Sequence, residues 1–390
     1  MHAAIQRRLD AAIAPLRGRL ATPALLIDLD AVDHNIGAVI RRCGGAPARW
    51  RPHIKTVKQA AILDRLVAAG VTTLKCATLD ELSLALAALD ALGDPQREGA
   101  DVLLAFPLHQ DAFHAALALA ARHPRVGLTL LAETPDHARL LDTWAAAAAP
   151  PARPRIHLDV DLGMQRTGAP PARWLAHAAA LARLSNLEII GVHGYDGHLT
   201  WTQTAAAAAG YDALVELAAR LIAAGAPIAE LVTSGSHTYP TALAHPALGG
   251  GPWRHQISPG TVLLGDLRVA AAADDLGLRQ AAFVASRVIS RANPVRLTLD
   301  AGTKAISPDR PSPTCEVLGW PELFPQVPSE EHLPVKLGGL TAPPFGHLLW
   351  LIPDHVCTTV NLYRSALLLR GDEIIGESPI AAAGRAPWLL

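Results

Sequence analysis

Short apolar runs alternate with helix-like stretches from Ala24 to about Leu267, and this alternation constrains the fold more than any other feature of the chain. The runs have the length of strands, and the stretches between them are rich in alanine and leucine. Strands that alternate with helices in this way form βαβ units and a parallel sheet. About eight such units in ~240 residues predict an α/β fold, a (β/α)8 TIM-type barrel, with an open doubly wound sheet as the alternative.

The individual elements can be placed from the same pattern. Barrel strands are predicted at Ala24–Asp28, Trp50–Ile54, Thr73–Ala77, Val102–Ala105, Gly127–Leu131, Ile156–Val160, Leu187–Val192, Glu230–Thr233 and Gln256–Ser258. Helices are predicted at Asp30–Arg42, Val57–Ala69, Asp80–Leu92, His109–His123, Pro135–Ala148, Pro171–Leu184, Ala206–Ala224 and Pro240–Leu248.

The pattern changes after Asp266, where apolar runs are separated by turns rich in proline and glycine and no long helix is indicated. This is typical of an antiparallel β domain. Its predicted strands are Ala281–Ser290, Val295–Leu299, Leu348–Ile352, Val356–Leu362 and Leu367–Ile375. The predicted domains are therefore residues 20–267 and 268–390. Residues 1–19, which have the spacing of a short amphipathic helix, are a candidate addition to the second domain.

Charge and cysteine content narrow the class of partner. The chain carries 34 basic and 35 acidic residues without a block of like charge, so neither nucleic acid nor a membrane is an expected partner. No apolar stretch approaches the ~20 residues of a membrane helix. The four cysteines are far apart, which favours a reducing compartment and a cytoplasmic location. We expect a small-molecule partner.

Lys55 is the candidate for a reactive amine. It follows the predicted strand Trp50–Ile54, at the end of a strand where barrel enzymes place their active groups. A partly desolvated lysine there has a lowered pKa and can form a Schiff base. The alternative is a solvated lysine without a chemical role.

Other loops after predicted strands carry candidate ligand-binding residues. Arg166 lies in a glycine-containing turn and can donate to a phenolate or carboxylate, although it can equally cap a helix. Tyr195 can stack on a planar ligand, or simply pack at the barrel rim. The segments Ser234-Gly235-Ser236 and Gly260-Thr261 follow the last two strands, where barrels commonly bind phosphate, although either can be only a turn.

His355 and Cys357 form a candidate metal site in the second domain. In a strand-like segment, residues two apart point to one face, as two ligands of one ion must. Nitrogen with sulfur suits zinc, and two protein ligands leave positions open for water or substrate. Glu330, Glu331 and His332 are candidates for a further ligand. The alternative is a buried cysteine beside a hydrogen-bonded histidine.

Together these segments resemble one family, the metal-activated D-serine dehydratase and D-threonine aldolase group of fold type III pyridoxal-phosphate enzymes, which have an alanine-racemase-like fold. The resemblance covers nearly the whole chain. Its motifs include Arg51-Pro-His-Ile-Lys-Thr56, Cys76-Ala-Thr78, Gly163-Met-Gln-Arg-Thr-Gly168, Tyr195-Asp-Gly-His198, Ser234-Gly-Ser236, Pro259-Gly-Thr261, Asp300-Ala-Gly302 and Pro353-Asp-His-Val-Cys-Thr-Thr-Val-Asn361. The family usually has histidine where this chain has Val57 and tyrosine where it has Val262.

The resemblance implies a role for each matching residue. Lys55 would hold pyridoxal 5'-phosphate as a Schiff base, Arg166 would approach the phenolic oxygen, and the loops of Ser234 and Gly260 would hold the phosphate. His355 and Cys357 would bind a divalent metal, with zinc expected and manganese or magnesium as alternatives. The resemblance also implies a homodimer.

The expected activity is that of a lyase on a D-configured β-hydroxy amino acid. The His-x-Cys pair resembles the D-serine dehydratase branch, which releases ammonia and a keto acid. Retro-aldol cleavage to glycine and an aldehyde, as in a D-threonine aldolase, is the first alternative. A metal-independent racemase or cofactor-binding protein is the second, and a zinc hydrolase on a barrel is the third.

Overall fold

The structure, a computed structural model, describes residues 2–94, 98–270, 272–339 and 341–385. The chain divides into two compact units. Of the described residues, the first unit contains those in 2–38, 56–62 and 261–385, and the second those in 39–55 and 63–260. The last five residues of the predicted β domain lie outside the described residues.

The strands of the described residues are numbered here in chain order. They are β1 Ala24–Asp28, β2 Thr73–Cys76, β3 Asp101–Pro107, β4 Gly127–Ala132, β5 Arg155–Asp161, β6 Glu188–Tyr195, β7 Glu230–Thr233, β8 Arg254–Ile257, β9 Ala282–Asn293, β10 Arg296–Leu299, β11 Cys315–Val317, β12 Leu323–Pro325, β13 Leu333–Leu337, β14 Leu348–Pro353, β15 Ser365–Arg370 and β16 Glu373–Pro379.

The α-helices are numbered in the same way. They are α1 His2–Ile13, α2 Leu29–Arg42, α3 Ala60–Ala68, α4 Leu79–Asp90, α5 Gln110–Ala121, α6 Pro135–Ala148, α7 Pro171–Ala176, α8 Ala178–Leu181, α9 Thr204–Ala223, α10 Tyr239–Ala244, α11 Pro246–Gly250, α12 Leu267–Ala270, α13 Ala273–Leu276 and α14 Val356–Val360. None of these described helices is both long enough and apolar enough to cross a membrane.

The second unit contains a parallel sheet in the order β2-β3-β4-β5-β6-β7-β8. The segment before Lys55 connects the two edges of this sheet. Trp50 bridges Ile257 of β8, and His53 bridges Lys75 of β2. The amide of Arg51 donates to Ile257 and the amide of Lys75 donates to Pro52. The predicted α/β barrel is therefore confirmed, with the segment that closes it held by bridges and not by a full ladder.

Helix starts in this unit follow from capping residues that the sequence supplies. The Thr78 hydroxyl accepts from the amide of Glu81 at the start of α4. Thr134 caps α6 in the same way, and Pro135 occupies its first turn, where no backbone donor is needed. The predicted helix Pro171–Leu184 is instead divided into α7 and α8, which meet at His177.

The first unit is built on a nine-stranded sheet with a mostly antiparallel order, β12-β13-β10-β9-β1-β15-β16, and β14 joins β9 and β11. Strand β1 pairs with β9 in antiparallel and with β15 in parallel orientation. The predicted assignment of Ala24–Asp28 to the barrel is therefore wrong. An apolar strand before a helix satisfies either sheet, because its sequence contains no information about its distant partner.

The core of this unit explains why the N-terminal helix belongs to it. Leu9 and Ile13 of α1 are buried against Leu26, Phe283 and Trp350 of the sheet. The predicted amphipathic helix is confirmed. Two strand predictions are wrong in detail, since Val356–Val360 is a short helix and the run 367–375 is a hairpin of β15 and β16. The short strands β11, β12 and β13 were not predicted.

Candidate active site

Lys55 lies in a 3₁₀ turn, Ile54–Thr56, directly after the bridges that close the barrel. The predicted strand Trp50–Ile54 is thus only the isolated bridges of Trp50 and His53. The side chain of Lys55 is half-buried, and its Nζ lies 5.6 Å from the ring centroid of Tyr195. The backbone amide of Lys55 donates to Nδ1 of His53 over 3.4 Å. The amine therefore faces an aromatic ring at the carboxyl end of β6.

Three basic side chains surround the Tyr195 ring. The guanidinium carbon of Arg166 is 5.2 Å from the centroid, and Nζ of Lys75 is 5.5 Å from it, beside Lys55. In the part of the chain that the structure describes, no acidic side chain forms an ion pair with Lys55, Lys75 or Arg166. The structure thus brings together Lys55, Arg166 and Tyr195 as a site that attracts an anion.

The turn that carries Arg166 depends on close backbone packing. A Cβ at Gly168 would lie 2.8 Å from the amide nitrogen of Asp161, so only glycine fits. Gly163 and Gln165 both adopt positive φ, and the Asp161 carboxylate accepts from the amides of both residues. These contacts hold the turn in place after β5 and present the exposed Arg166 side chain to the Tyr195 ring.

Lys75 is the main residue of this site that the sequence did not predict. It lies in β2 and is almost completely buried, with Nζ 3.0 Å from Nε2 of His193. Nδ1 of His193 is 2.7 Å from Asp159. Burial is the largest cause that lowers the pKa of Lys75 to about 7, followed by the charge of Lys55. Burial likewise lowers the pKa of His193 to about 4.

The loop after β7 contains buried polar groups. Ser234 has a φ of 65°, and among the described residues its buried hydroxyl has no hydrogen-bond partner. The buried hydroxyl of Ser258, directly after β8, likewise has no hydrogen-bond partner among the described residues. Because Thr233 pairs with Ile257, these two serines follow neighbouring strand ends. The two hydroxyls are thus available to an anion at the position where barrels bind phosphate.

Asp196 holds the same loop and was not assigned a role from the sequence. Its carboxylate accepts from Thr238 over 2.7 Å, from Tyr211 over 2.5 Å and from the amide of Gly235 over 3.1 Å. The Gly235 amide is therefore directed at Asp196 and not at the predicted phosphate. A Cβ at Gly235 would come within 3.1 Å of the Tyr195 ring, so the position favours glycine. Ser236 is half-buried in the same loop.

The predicted Gly260-Thr261 segment lies partly in each unit. Gly260 is buried, and the carbonyl of the preceding Pro259 accepts from the indole of Trp50 over 3.0 Å. In the first unit, Thr261 begins a 3₁₀ turn, and its hydroxyl is 3.4 Å from the sulfur of Cys357.

His355 and Cys357 are neighbours in the first unit, although not through the predicted strand. Strand β14 ends at Pro353, His355 caps α14, and Cys357 lies in the first turn of that helix. Burial opposes a charge on His355, but hydrogen bonds with Cys357 and Asp309 together raise the pKa of His355 to about 9. Nδ1 of His355 lies 2.6 Å from Asp309. The hydroxyl of Thr56 lies 3.1 Å from the Cys357 sulfur.

The other metal-ligand candidates have different partners. Glu330 and Glu331 both pair with Nζ of Lys304, over 2.7 and 2.9 Å. Among the described residues no group of three or more histidine, cysteine, aspartate or glutamate side chains is arranged to hold a metal ion. The nitrogen and sulfur of His355 and Cys357 fit an open site with two protein ligands. Val57 and Val262, the two positions where the resembled family usually has histidine and tyrosine, are fully buried.

A second polar cluster lies at the amino ends of the barrel strands. The fully buried Arg51 pairs with Asp101 of β3 and with Glu230 of β7. Asp101 also pairs with Arg155, while Glu230 accepts from His157 and Arg254. Burial of Glu230 disfavours its charge, but the His157 hydrogen bond and the nearby arginines hold its pKa well below the usual value.

This combination, a closed barrel with a lysine at one end and a mostly antiparallel second sheet, defines an alanine-racemase-like protein of the pyridoxal-phosphate class. The sequence profile of the "Alanine racemase, N-terminal domain" matches residues 27–268. The chain belongs to this family. A second profile, the "Putative serine dehydratase domain", matches residues 281–369.

Individual relatives extend over almost the full length. A D-threonine aldolase from Arthrobacter sp. is 25% identical over 382 residues, with 94% of this chain and 93% of that protein covered. A D-threo-3-hydroxyaspartate dehydratase from Delftia sp. (strain HT23) is 26% identical over 381 residues, with 90% and 95% covered. The solved D-threonine aldolase from Filomicrobium marinum superposes with a TM-score of 0.80 at 24% identity, with 93% and 96% of the two chains covered.

The family prediction is confirmed by these matches, as is the enzyme class, since the relatives are named as aldolases and dehydratases, which are lyases. The residues of the barrel unit also fit this cofactor. The cationic groups at Tyr195 suit its anionic oxygens, and the hydroxyls of Ser234 and Ser258 are suited to its phosphate. The individual site residues stay predictions.

Proposed function

We propose that the chain is a metal-activated, pyridoxal-phosphate-dependent lyase that dehydrates a D-configured β-hydroxy amino acid and releases a keto acid and ammonia. The observation that carries the cofactor assignment is the convergence of Lys55, Lys75 and Arg166 on the ring of Tyr195. A neutral or anionic ligand with an aromatic ring is a natural occupant of such a site.

Each predicted residue has a role in this proposal. Lys55 would attach the cofactor covalently, Tyr195 would contact its ring and Arg166 would pair with its phenolic oxygen. The phosphate would be held by residues after the last two strands, Ser234, Ser236, Gly260 and Thr261. Since the Gly235 amide donates to Asp196, Gly235 would contribute by leaving space for the ring and not by donating.

When bound, pyridoxal phosphate supplies an electron sink for bond breaking at Cα of an amino acid. Lys55 would remove the α-proton with its amine, because this amine faces the Tyr195 ring where the cofactor would lie. Burial of β6 and the packed loop around Asp196 keep Tyr195 at a fixed position. Fixed positioning of reacting groups is a large part of catalysis by enzymes.

A divalent metal held by His355 and Cys357 would supply a Lewis acid for departure of the hydroxyl group. Asp309 accepts from His355 and would orient its ring and tautomer, as carboxylates beside metal-bound histidines commonly do. We propose zinc, because nitrogen and thiolate sulfur suit a borderline-soft ion.

Retro-aldol cleavage is the second candidate function, because the D-threonine aldolase of Arthrobacter matches this chain as well as the Delftia dehydratase does. The cysteine of the His355–Cys357 pair favours dehydration, since the sequence resembles the dehydratase branch at this position.

The two activities differ in their products. Purified enzyme loaded with cofactor and zinc is incubated with D-serine, D-threonine or D-threo-3-hydroxyaspartate, and keto acid, ammonia, glycine and aldehyde are measured together. We expect keto acid and ammonia in equal amounts, lost with a chelator and restored by zinc. Glycine and aldehyde instead would establish the aldolase, and full activity without metal would rule out the metal site.

A matched pair of cysteine variants tests the same site. We expect Cys357→Ala to lose bound zinc and the elimination activity, while Cys43→Ala, which changes another buried free cysteine, keeps both. We also propose a homodimer in the cytoplasm. Sedimentation of the purified chain as a monomer at micromolar concentration would contradict the first of these two proposals.

A further inference from the structure

Lys75 is a second amine in the Tyr195 site, and the proposed function assigns it no step in proton transfer. It occupies the middle of β2, where every residue is buried. A lysine is almost never buried without a compensating partner, because desolvation of its charge is costly. Its Nζ lies 3.0 Å from His193 and 5.5 Å from the centre of the Tyr195 ring.

The hydrogen bonds define which way the protons point. Asp159 accepts at 2.7 Å from Nδ1 of His193, which leaves Nε2 as an acceptor for Lys75. The imidazole is therefore an orienting group for the amine. A neutral Lys75 that donates one hydrogen to His193 retains a lone pair, so it can still accept a proton.

The charged and titratable groups around Lys75 both raise and lower its pKa. Lys55 and Arg51 disfavour its charge, Asp159 and Asp196 favour it, and His193 is held neutral by burial. Desolvation exceeds the other contributions, which leaves the pKa of Lys75 at about 7. An amine in this range gains and loses a proton readily at physiological pH.

The small number of lysines in the chain also indicates that the amine of Lys75 has a chemical role. Only five of its 34 basic residues are lysines, at positions 55, 58, 75, 304 and 336, and arginine is used elsewhere. Arginine cannot release its proton in a protein, whereas lysine can. A buried lysine in such a chain indicates that this position needs an amine and not merely a positive charge.

We propose that Lys75 is a second acid–base residue of the Tyr195 site, which accepts the proton that Lys55 removes from the substrate and returns it, while His193 and Asp159 orient its amine. In this step the Lys55 ammonium loses a proton and keeps the electron pair, and the neutral Lys75 amine becomes an ammonium. The inference rests on the proposed role of Lys55.

The first test needs no activity. The full chain is labelled with lysine carrying ¹³C and ¹⁵N at the side-chain terminus, and its lysine signals are followed by NMR as pH rises from 5 to 11. The signal that Lys75→Met removes is expected to titrate near 7. Titration of that signal near ~10.4, the ordinary lysine value, would overturn the inference.

The second test measures proton transfer. D-alanine has no β-hydroxyl group, so it can undergo neither elimination nor retro-aldol cleavage, and exchange of its α-hydrogen for deuterium in heavy water reports proton transfer at Cα. Lys75→Met and Lys75→Arg are both expected to slow this exchange by at least ~100-fold, the usual range for loss of an acid–base group. Lys336→Met, at an exposed lysine, is the control that should exchange at the wild-type rate.

The outcomes separate this inference from the proposed function. Exchange at the wild-type rate in Lys75→Arg would show that a fixed positive charge at this position suffices, and it would overturn the acid–base role of Lys75. Borohydride reduction should still fix the cofactor to Lys55 in Lys75→Met, which excludes simple loss of the cofactor. A wild-type chain without that adduct would overturn the proposed function and the transfer from Lys55 together, whereas an unshifted Lys75 signal overturns the inference alone.

Discussion

The two polar clusters of the barrel unit differ in how their charges are compensated. At the amino ends of the strands, Arg51 is buried between Asp101 and Glu230, and each carboxylate has further partners. At the carboxyl ends, three basic side chains face the ring of Tyr195, and no described acidic side chain lies close enough to form an ion pair with them. In barrels the first end contributes mainly to stability and the second carries the chemistry. Complete compensation therefore marks the structural end, and incomplete compensation marks the end that binds a ligand.

The largest effect on activity is expected when Lys55, the residue proposed to bind the cofactor covalently, is removed. We expect Lys55→Ala to lower the turnover of a D-β-hydroxy amino acid by more than ~10⁴-fold, the order seen when a covalent nucleophile is removed. Its free energy of unfolding should change little, because the side chain has no ion pair among the described residues. The absorbance band of the cofactor adduct should be lost, and its survival would refute the assignment.

At the amino ends of the strands, we expect a substitution to change stability more than activity. Arg51→Met leaves Asp101 and Glu230 buried with fewer positive partners, which should lower the free energy of unfolding by about 3–5 kcal/mol. Urea denaturation measures this change. Arg220→Met removes an exposed ion pair with Glu216 and should cost under ~1 kcal/mol. Equal costs for the two arginines would contradict the structural role of the buried cluster.

Lys75 gives a prediction for the pH dependence of stability. Its pKa is about 7 in the folded chain, against the ordinary lysine value when unfolded, so the unfolded state binds more protons between these values. Stability from this group must then rise with pH through that window, by roughly 1.4 kcal/mol per unit. The difference in unfolding free energy between the wild type and Lys75→Met, measured from pH 7.5 to 9, should show this slope. A difference independent of pH would mean that folding does not lower the pKa of Lys75.

The smallest expected effect concerns the serine hydroxyl after β7. Ser234→Ala removes a group without a partner among the described residues, so stability should stay within ~0.5 kcal/mol of the wild type. Affinity for the cofactor should fall by about 1–2 kcal/mol, which corresponds to roughly 5- to 30-fold. Thr238→Val is the contrasting variant, because it breaks a 2.7 Å hydrogen bond to Asp196 and should lower stability. Unchanged cofactor affinity in Ser234→Ala would remove this hydroxyl from the proposed site.

The barrel could be predicted from the sequence because its pattern is local, with strands and helices that follow one another in order. The sheet that holds β1 could not, since the pairing of Leu26 with Leu367 is a contact between distant parts of the chain. Val356–Val360 is rich in β-branched residues, which favour a strand, yet the segment forms a helical turn that starts at His355.

In the candidate site, too, local features could be predicted from the sequence and contacts between distant residues could not. Lys55, Arg166 and Tyr195 became candidates because they lie at the ends of predicted strands, and the family resemblance supplied the role expected of each. Lys75 was visible as a charged residue within the apolar run Thr73–Cys76, but a polar residue in a strand is ordinary where one face meets water. Only the closed barrel, which buries both faces of β2, makes this lysine exceptional. Asp159 and His193 became meaningful only once their distances to each other and to Lys75 were known.

The pairing of β1 with β15 has a consequence for synthesis of the chain on the ribosome. Leu26 must wait for Leu367, so this strand emerges more than 300 residues before its parallel neighbour exists. At ~5–20 residues per second, the delay is about 20–70 s. During that time the parallel barrel strands, which are all encoded between β1 and β15, can form their own sheet. The apolar strand Ala24–Asp28 can pair with β9 before β15 is made, but until β9 emerges it has neither of its two sheet neighbours.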